Sequence, residues 1–127
     1  MYLLDTHTFV WSLIDDKRLS ANTKDLLSQR SNVVFVSSIS FYELSFKNNL
    51  GKWPEVKIII QNAKQIMEKM QYTPLNLSME HSLAAAALPL YHRDPFDRFL
   101  VAQSKIESYH LISKDKELAD LGASIIW

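Results

Sequence analysis

Five short apolar runs, separated by segments of helical spacing, restrict what this chain can fold into more than any other feature. The runs are Tyr2 to Leu4, Val33 to Val36, Leu75 to Leu77, Leu111 to Ser113 and Ser124 to Trp127. Between them, apolar residues recur at the helical period over about 6–14, 20–30, 38–50, 56–70, 79–88, 95–108 and 115–121. Strands that alternate with helices return to the same end of a sheet, so the pattern predicts parallel pairing with helices on both faces, an α/β three-layer sandwich. Three helix starts are marked. Ser20 and Ser78 stand at N-cap positions, and Asp94-Pro95 places a capping carboxylate ahead of proline at the first helical position.

Composition narrows the function. The 127 residues fit one domain, 1–127, and 47% hydrophobic with 22% charged residues is a globular balance. The longest apolar run, Leu83 to Tyr91, contains Pro89 and is too short to span a bilayer. The N-terminal Met-Tyr-Leu-Leu-Asp has no basic segment and its apolar run stops at Asp5, so a cytoplasmic chain without a leader is expected. Absence of cysteine removes disulfides, thiolate zinc sites and cysteine nucleophiles. With glycine only at Gly51 and Gly122, neither a P-loop nor a dinucleotide fingerprint can form. Lys+Arg and Asp+Glu are 14 each, so a basic nucleic-acid surface would have to be local.

Carboxylates then stand out by position. Two apolar runs end in an acid ahead of a helix, at Asp5 and at Asp115, and in an open α/β sheet ligands bind beyond the carboxyl ends of the strands. Each is equally an N-cap for the helix that follows. On a helix from Ser38 to Leu50, Glu43 shares a stripe with Ile39, Phe46 and Leu50, where a core residue belongs. A salt bridge to Lys47 is the plain alternative. Asp94 and Asp97 both fall in the first turn of the helix opened by Pro95, where the macrodipole alone favours acids and Arg93 and Arg98 could neutralise them. Taken together, Asp5, Glu43, Asp97 and Asp115 come from distant segments that a parallel sheet brings to one edge. Like charges at close range are retained where a cation intervenes, and oxygen ligands without cysteine select Mg2+ or Mn2+. Such an ion activates water and neutralises a phosphoryl oxygen, which makes phosphodiester hydrolysis the natural reaction class.

Four segments resemble the PIN-domain family, and specifically the VapC-like toxins of bacterial toxin–antitoxin pairs. They are Tyr2-Leu-Leu-Asp-Thr-His7, Val36-Ser-Ser-Ile-Ser-Phe-Tyr-Glu-Leu44, Asp94-Pro-Phe-Asp-Arg-Phe-Leu-Val-Ala-Gln103 and Leu111-Ile-Ser-Lys-Asp115, with Gly51-Lys52 and the closing Ile125-Ile-Trp127 in the same style. The resemblance runs in order along the whole chain. It implies a five-stranded parallel sheet flanked by helices and a Mg2+- or Mn2+-dependent endoribonuclease. Its acidic site would be Asp5, Glu43, Asp97 and Asp115, supported by the hydroxyls of Thr6 and Ser113. It further implies an RNA substrate, a cognate antitoxin and a homodimer. Two positions depart from the family: His7 stands where asparagine is commoner, and Asp94 adds a fifth acid beside Asp97. In this reading Asp5, Asp97 and Asp115 hold one or two metal ions, Glu43 is a ligand or positions water, and Asp94 mainly caps its helix.

The remaining residues read more plainly. His7, His81, His92 and His110 have no spacing that makes a zinc site. Trp11, Trp53 and Trp127 read as core or dimer contacts ahead of base-stacking platforms. Lys47, Arg93, Arg98, Lys114 and Lys116 form either a positive rim for phosphates or solvated surface. Apolar residues on both sides of the Phe41 to Leu50 segment predict that one face is hidden in a homodimer. Rival functions are a catalytically silent PIN-like interaction module and an α/β phosphoacceptor domain. The silent module is disfavoured by the presence of all four acids. For the phosphoacceptor, a phosphatase needs a second Asp two residues after Asp5, where His7 stands. A receiver needs an Asp after its middle strand, where Ser78 follows Leu77.

Overall fold

The computed structural model describes residues 1–127 and places five strands in one sheet: β1 (Tyr2–Leu4), β2 (Val34–Ser37), β3 (Thr73–Leu75), β4 (His110–Ile112) and β5 (Ile125–Ile126). Their order is β3-β2-β1-β4-β5, and every pair is parallel. The helices are α1 (Thr6–Leu13), α2 (Ala21–Ser28), α3 (Ser38–Asn49), α4 (Lys57–Gln61), α5 (Ala63–Met70), α6 (Met79–Ala87) and α7 (Pro95–Glu107). Two 3-10 segments, Pro54–Val56 and Lys116–Leu121, complete the chain. The α/β sandwich expected from the alternation is therefore observed, and no helix is long and apolar enough to cross a membrane.

Parallel strands are covered on both faces, so adjacent residues of one strand enter different cores. Leu4, Val34, Val36 and Ile112 pack with Phe9 and Val10 of α1, Leu44 of α3, Ile59 of α4 and Met67 of α5. Leu3 and Leu111 point the other way, against Leu100 and Val101 of α7 and Leu118 and Leu121 of the 3-10 segment. Leu3, Leu4, Leu111 and Ile112 are fully buried. Each such side chain contributes about 1.5–3 kcal/mol of burial, so the two central strands anchor both layers.

Local chemistry sets the ends of the elements. Ser20, Ser78 and Asp94 cap α2, α6 and α7 as expected. At the end of α3, Gly51 adopts φ +73°. There the Lys52 amide donates to the Lys47 carbonyl (3.0 Å) and the Gly51 amide to that of Asn48 (2.9 Å). These are the paired bonds of a Schellman stop, which needs the left-handed residue glycine provides.

Three boundaries differ from the sequence reading. The edge strand lies at Thr73–Leu75, two residues before the apolar run at Leu75 to Leu77, and includes Pro74. An edge strand tolerates a residue without an N–H. The single helix expected over 56–70 is three pieces. Its break lies at Asn62, whose side-chain amide donates to the Ile58 carbonyl (2.9 Å) and so competes with the helical ladder. The segment from 115 to 121 is 3-10 rather than α.

Arg98 also departs from expectation. Its guanidinium turns away from Asp94 and Asp97 and donates to four carbonyls, those of Pro89 (2.6 Å), His92 (2.8 Å), Leu88 (2.7 Å) and Ala86 (3.2 Å). The end of α6 leaves carbonyls without helical partners, and a planar five-donor fork can collect several at once. Lysine keeps the charge but lacks the fork. Arg98→Lys should therefore cost about 2–4 kcal/mol, read as a melting temperature lower by about 5–15 °C. An unchanged melting curve would show that these carbonyls do not depend on the guanidinium.

Candidate functional site

Strands β1, β2 and β3 step outward in one direction from the middle of the sheet, and β4 returns to the other side of β1. The reversal opens a crevice beyond the carboxyl ends of β1 and β4, the position where α/β sheets bind ligands. Asp5 follows β1 directly. Its amide donates to the Ile112 carbonyl (3.1 Å), which ties it to β4, and its Oδ1 accepts the Thr8 amide (2.7 Å). Asp115 lies just past β4. Its Oδ1 accepts the Glu117 amide (3.0 Å), while its own amide donates to the Ser113 hydroxyl (3.0 Å). Both acids are thus the caps that a plain reading allows, and each cap engages one of two carboxylate oxygens. Thr6 and Ser113 are buried, and the Thr6 hydroxyl donates to that of Ser40 (3.0 Å), joining the first turns of α1 and α3.

Glu43 is buried, at 4% exposure, but not for the reason its spacing gives. Phe46 and Leu50, its expected companions, are 46% and 53% exposed. The buried side of α3 is instead Ser40, Glu43 and Leu44. Phe46 stacks outside on Tyr42 (centroids 5.8 Å apart), and Tyr42 in turn meets Phe96 (6.0 Å). The pairing with Lys47 does form: the ammonium lies against Glu43 Oε2. It also lies 5.7 Å from the Phe96 ring and 5.9 Å from the Trp53 ring, so α3, α7 and the turn before Pro54 meet at this one cation.

Asp94 caps α7 through Oδ1, which accepts the amides of Phe96 (2.9 Å) and Asp97 (3.2 Å). Asp97 is left to a different task. Its carboxyl is pushed up to about 6, first by burial and next by the charge of Asp94, with Asp5 adding repulsion. A hydrogen bond between Asp97 Oδ2 and His92 Nε2 (3.1 Å) opposes the rise. Nothing in the sequence marks His92 as a site residue. It lies in the irregular segment before the cap, where no periodicity relates it to Asp97.

The fold thus brings Asp5 and Asp97 within reach of each other's charge, sets Asp115 past the neighbouring strand end, and places Lys47, the partner of Glu43, over the ring of Phe96 that precedes Asp97. No group of three or more His, Asp or Glu side chains converges as a formed ion site. The donors are nonetheless all oxygens, and Asp97 is a desolvated carboxylate crowded by two others. That combination fits a hard divalent cation. The other histidines serve elsewhere: His81 accepts the Ser78 amide and pairs with Glu107, and His110 bonds Ser124.

A family model described as PIN domain matches residues 2–123. Among solved structures, FitAcB from Neisseria gonorrhoeae is similar with TM-score 0.72 and 19% identity, covering 100% of this chain and 97% of that one. VapBC2 from Rickettsia felis, bound to a DNA fragment from its promoter, gives 0.71 and 14% over 98% and 96%. A toxin–antitoxin complex from Klebsiella pneumoniae gives 0.68 and 13% over 100% and 97%. These identities carry the fold. Comparison with curated protein sequences gave no match. The family match spans the chain from β1 to the residue before Ser124 and includes every acid of the crevice, so the chain belongs to the PIN domain family.

Proposed function

We propose that this chain is a Mg2+- or Mn2+-dependent endoribonuclease acting as the toxin of a toxin–antitoxin pair, in the cytoplasm and as a homodimer. The observation that carries the reading is Asp97, a half-buried carboxylate held by His92 and crowded by Asp94 and Asp5 at the sheet's crevice in a PIN-family chain. A fold keeps a carboxylate so crowded, and only partly relieved by His92, where a cation offsets its cost. The antitoxin partner rests on the similarity to toxin–antitoxin complexes.

In this reading Asp5, Asp97 and Asp115 hold the ion, and Glu43 is a further ligand or orients the attacking water. A divalent cation supplies there an activated water and neutralisation of charge on the phosphoryl oxygens. The protein does the rest. Asp94, as cap, aims the first turn of α7 and with it Asp97. His92 Nε2 hydrogen-bonds Asp97 Oδ2 and favours its ionised form. Thr6 and Ser113 fix the backbone on which Asp5 and Asp115 stand. Lys47 pairs with Glu43 and fixes the direction of its carboxylate within the fold.

Purified protein should cleave single-stranded RNA with Mg2+ or Mn2+ and stop with a chelator; equal cleavage in excess EDTA overturns the mechanism. Asp97→Asn should lower cleavage on the order of 100-fold or more, whereas Asp94→Asn keeps a capping oxygen and most of the activity. The reverse ranking would exchange their roles.

Stability of the metal-free protein should respond to the same carboxyl. Asp97 titrates at about 6 in the fold and from 3.8 in its ordinary state, so between these values the native chain holds a proton the unfolded chain lacks. Its contribution must therefore raise stability as pH falls from about 7 towards 4, on the order of 2 kcal/mol after allowing for partial exposure. Asp97→Asn should flatten that slope and, at pH 7 without metal, melt no lower than wild type. Melting curves across this range decide it, and a slope unchanged in Asp97→Asn would assign the effect to another group.

Assembly gives a separate check. Tyr42, Phe46 and Leu50 form an exposed apolar row along α3. Light scattering at micromolar concentration should return twice the 14.7 kDa chain mass. A clean monomer rejects the dimer.

A further inference from the structure

Aromatic rings continue away from the carboxylates in a row the hydrolytic site does not use. His7, in the first turn of α1 and two residues beyond Asp5, stacks on Trp53 with centroids 4.8 Å apart and planes 25° from parallel. On its other neighbour it tilts against Trp11 (5.7 Å). Trp11 is held in turn by the edge of Trp127 (6.1 Å). His7 is exposed, and of the four histidines it is the one whose ring makes no hydrogen bond within the chain, whereas His81, His92 and His110 all do. Stacking alone positions it.

The row meets the acidic site twice, by independent routes. One is the backbone from Asp5 to His7. The other is the Lys47 ammonium, which pairs with Glu43 and lies 5.9 Å from the Trp53 ring. Exposed Lys52 immediately precedes Trp53. A polar ring stacked on an indole, beside carboxylates and cations, has the parts that single-stranded nucleic acid uses: a π-face for a base and positive charge for its phosphates. An unpaired base offers a π-face to such a ring, whereas a duplex keeps its own bases stacked inside.

We propose that the His7–Trp53 stack is a base-binding site that takes one unpaired RNA nucleotide next to the bond to be cut, making His7 a positioning residue that selects single-stranded substrate. This rests on the reading of the chain as a ribonuclease. Trp53 and Trp127 do pack partly against the core, as expected of them. The exposed His7 ring is what turns that packing into a platform.

Binding measured in EDTA separates this proposal from hydrolysis. The probe is a fluorescein-labelled single-stranded RNA oligonucleotide, used intact, annealed into duplex, and with an abasic spacer moved along it one position at a time. Wild type should prefer the intact strand to the duplex. His7→Ala should weaken binding about ten-fold or more, and His7→Phe, which retains a ring, should stay within about three-fold of wild type. One abasic position should weaken wild type by a factor close to the His7→Ala loss, with no further effect in His7→Ala. Circular dichroism on both variants separates loss of the platform from loss of fold. The proposal is overturned by a folded His7→Ala within two-fold of wild type, by His7→Phe losing as much as His7→Ala, or by no RNA binding at all. Should the protein bind with this pattern yet never cleave with metal, the ribonuclease reading fails and the base site stands. If it cleaves, but the abasic and His7→Ala losses add, the ribonuclease reading stands and the base site fails.

Discussion

Because Tyr2–Leu4 is hydrogen-bonded on both edges, it takes part in two of the sheet's four ladders, with β2 on one side and β4 on the other. The Asp5 amide extends the second ladder to Ile112. That pairing creates the crevice where the strand order reverses. It sets Asp5 and Asp115 at adjacent strand ends, and through Leu3 and Leu4 it clamps α7 on one face and α1 and α3 on the other. Slipping β1 by one residue would exchange Leu3 with Leu4 between the two cores and move Asp5 out of the crevice.

Around this frame, capping fixes the acids at the strand and helix ends without excluding a further task for them. Asp5, Asp94 and Asp115 each accept backbone amides at the start of a helix or 3-10 segment. A cap fixes a carboxylate in direction as well as position, at a helix end whose dipole tolerates negative charge. Asp97 has no such role and carries the electrostatic cost, with His92 as its partial relief. Glu43, away from any helix N-terminus, instead depends on Lys47. Three of the acids are thus held as caps, Asp97 by His92 and Glu43 by Lys47.

Arg98 shows how a charged residue can matter in a role other than the one its neighbours suggest. Beside Asp94 and Asp97 in sequence, it has the sign to neutralise them. In the fold it gathers carbonyls at the end of α6 and so shapes the segment that presents His92. Sequence proximity conveys the sign of a charge but not the direction in which a long side chain turns. Glu43 is the converse case. Helical spacing groups it with Phe46 and Leu50, which lie outside, so its burial follows from the packing of α3 and not from that stripe.

Local sequence is enough to specify the α/β class, the positions of the five strands to within two residues, the capped starts of α2, α6 and α7, and the identity of the acids at the strand ends. Periodicity, turn chemistry and the residue that follows an apolar run are all set within a few positions along the chain. Long-range packing alone makes Asp97 a partner of His92 crowded by Asp5, joins Glu43 through Lys47 to the Phe96 and Trp53 rings, and stacks His7 on Trp53. His7 and Trp53 lie far apart in sequence, on α1 and on the turn after α3, and no periodicity relates them. Their contact exists because α1 and α3 are pressed against the same face of β1 and β2, where burial of Phe9, Val10 and Leu44 fixes how the two helices lie.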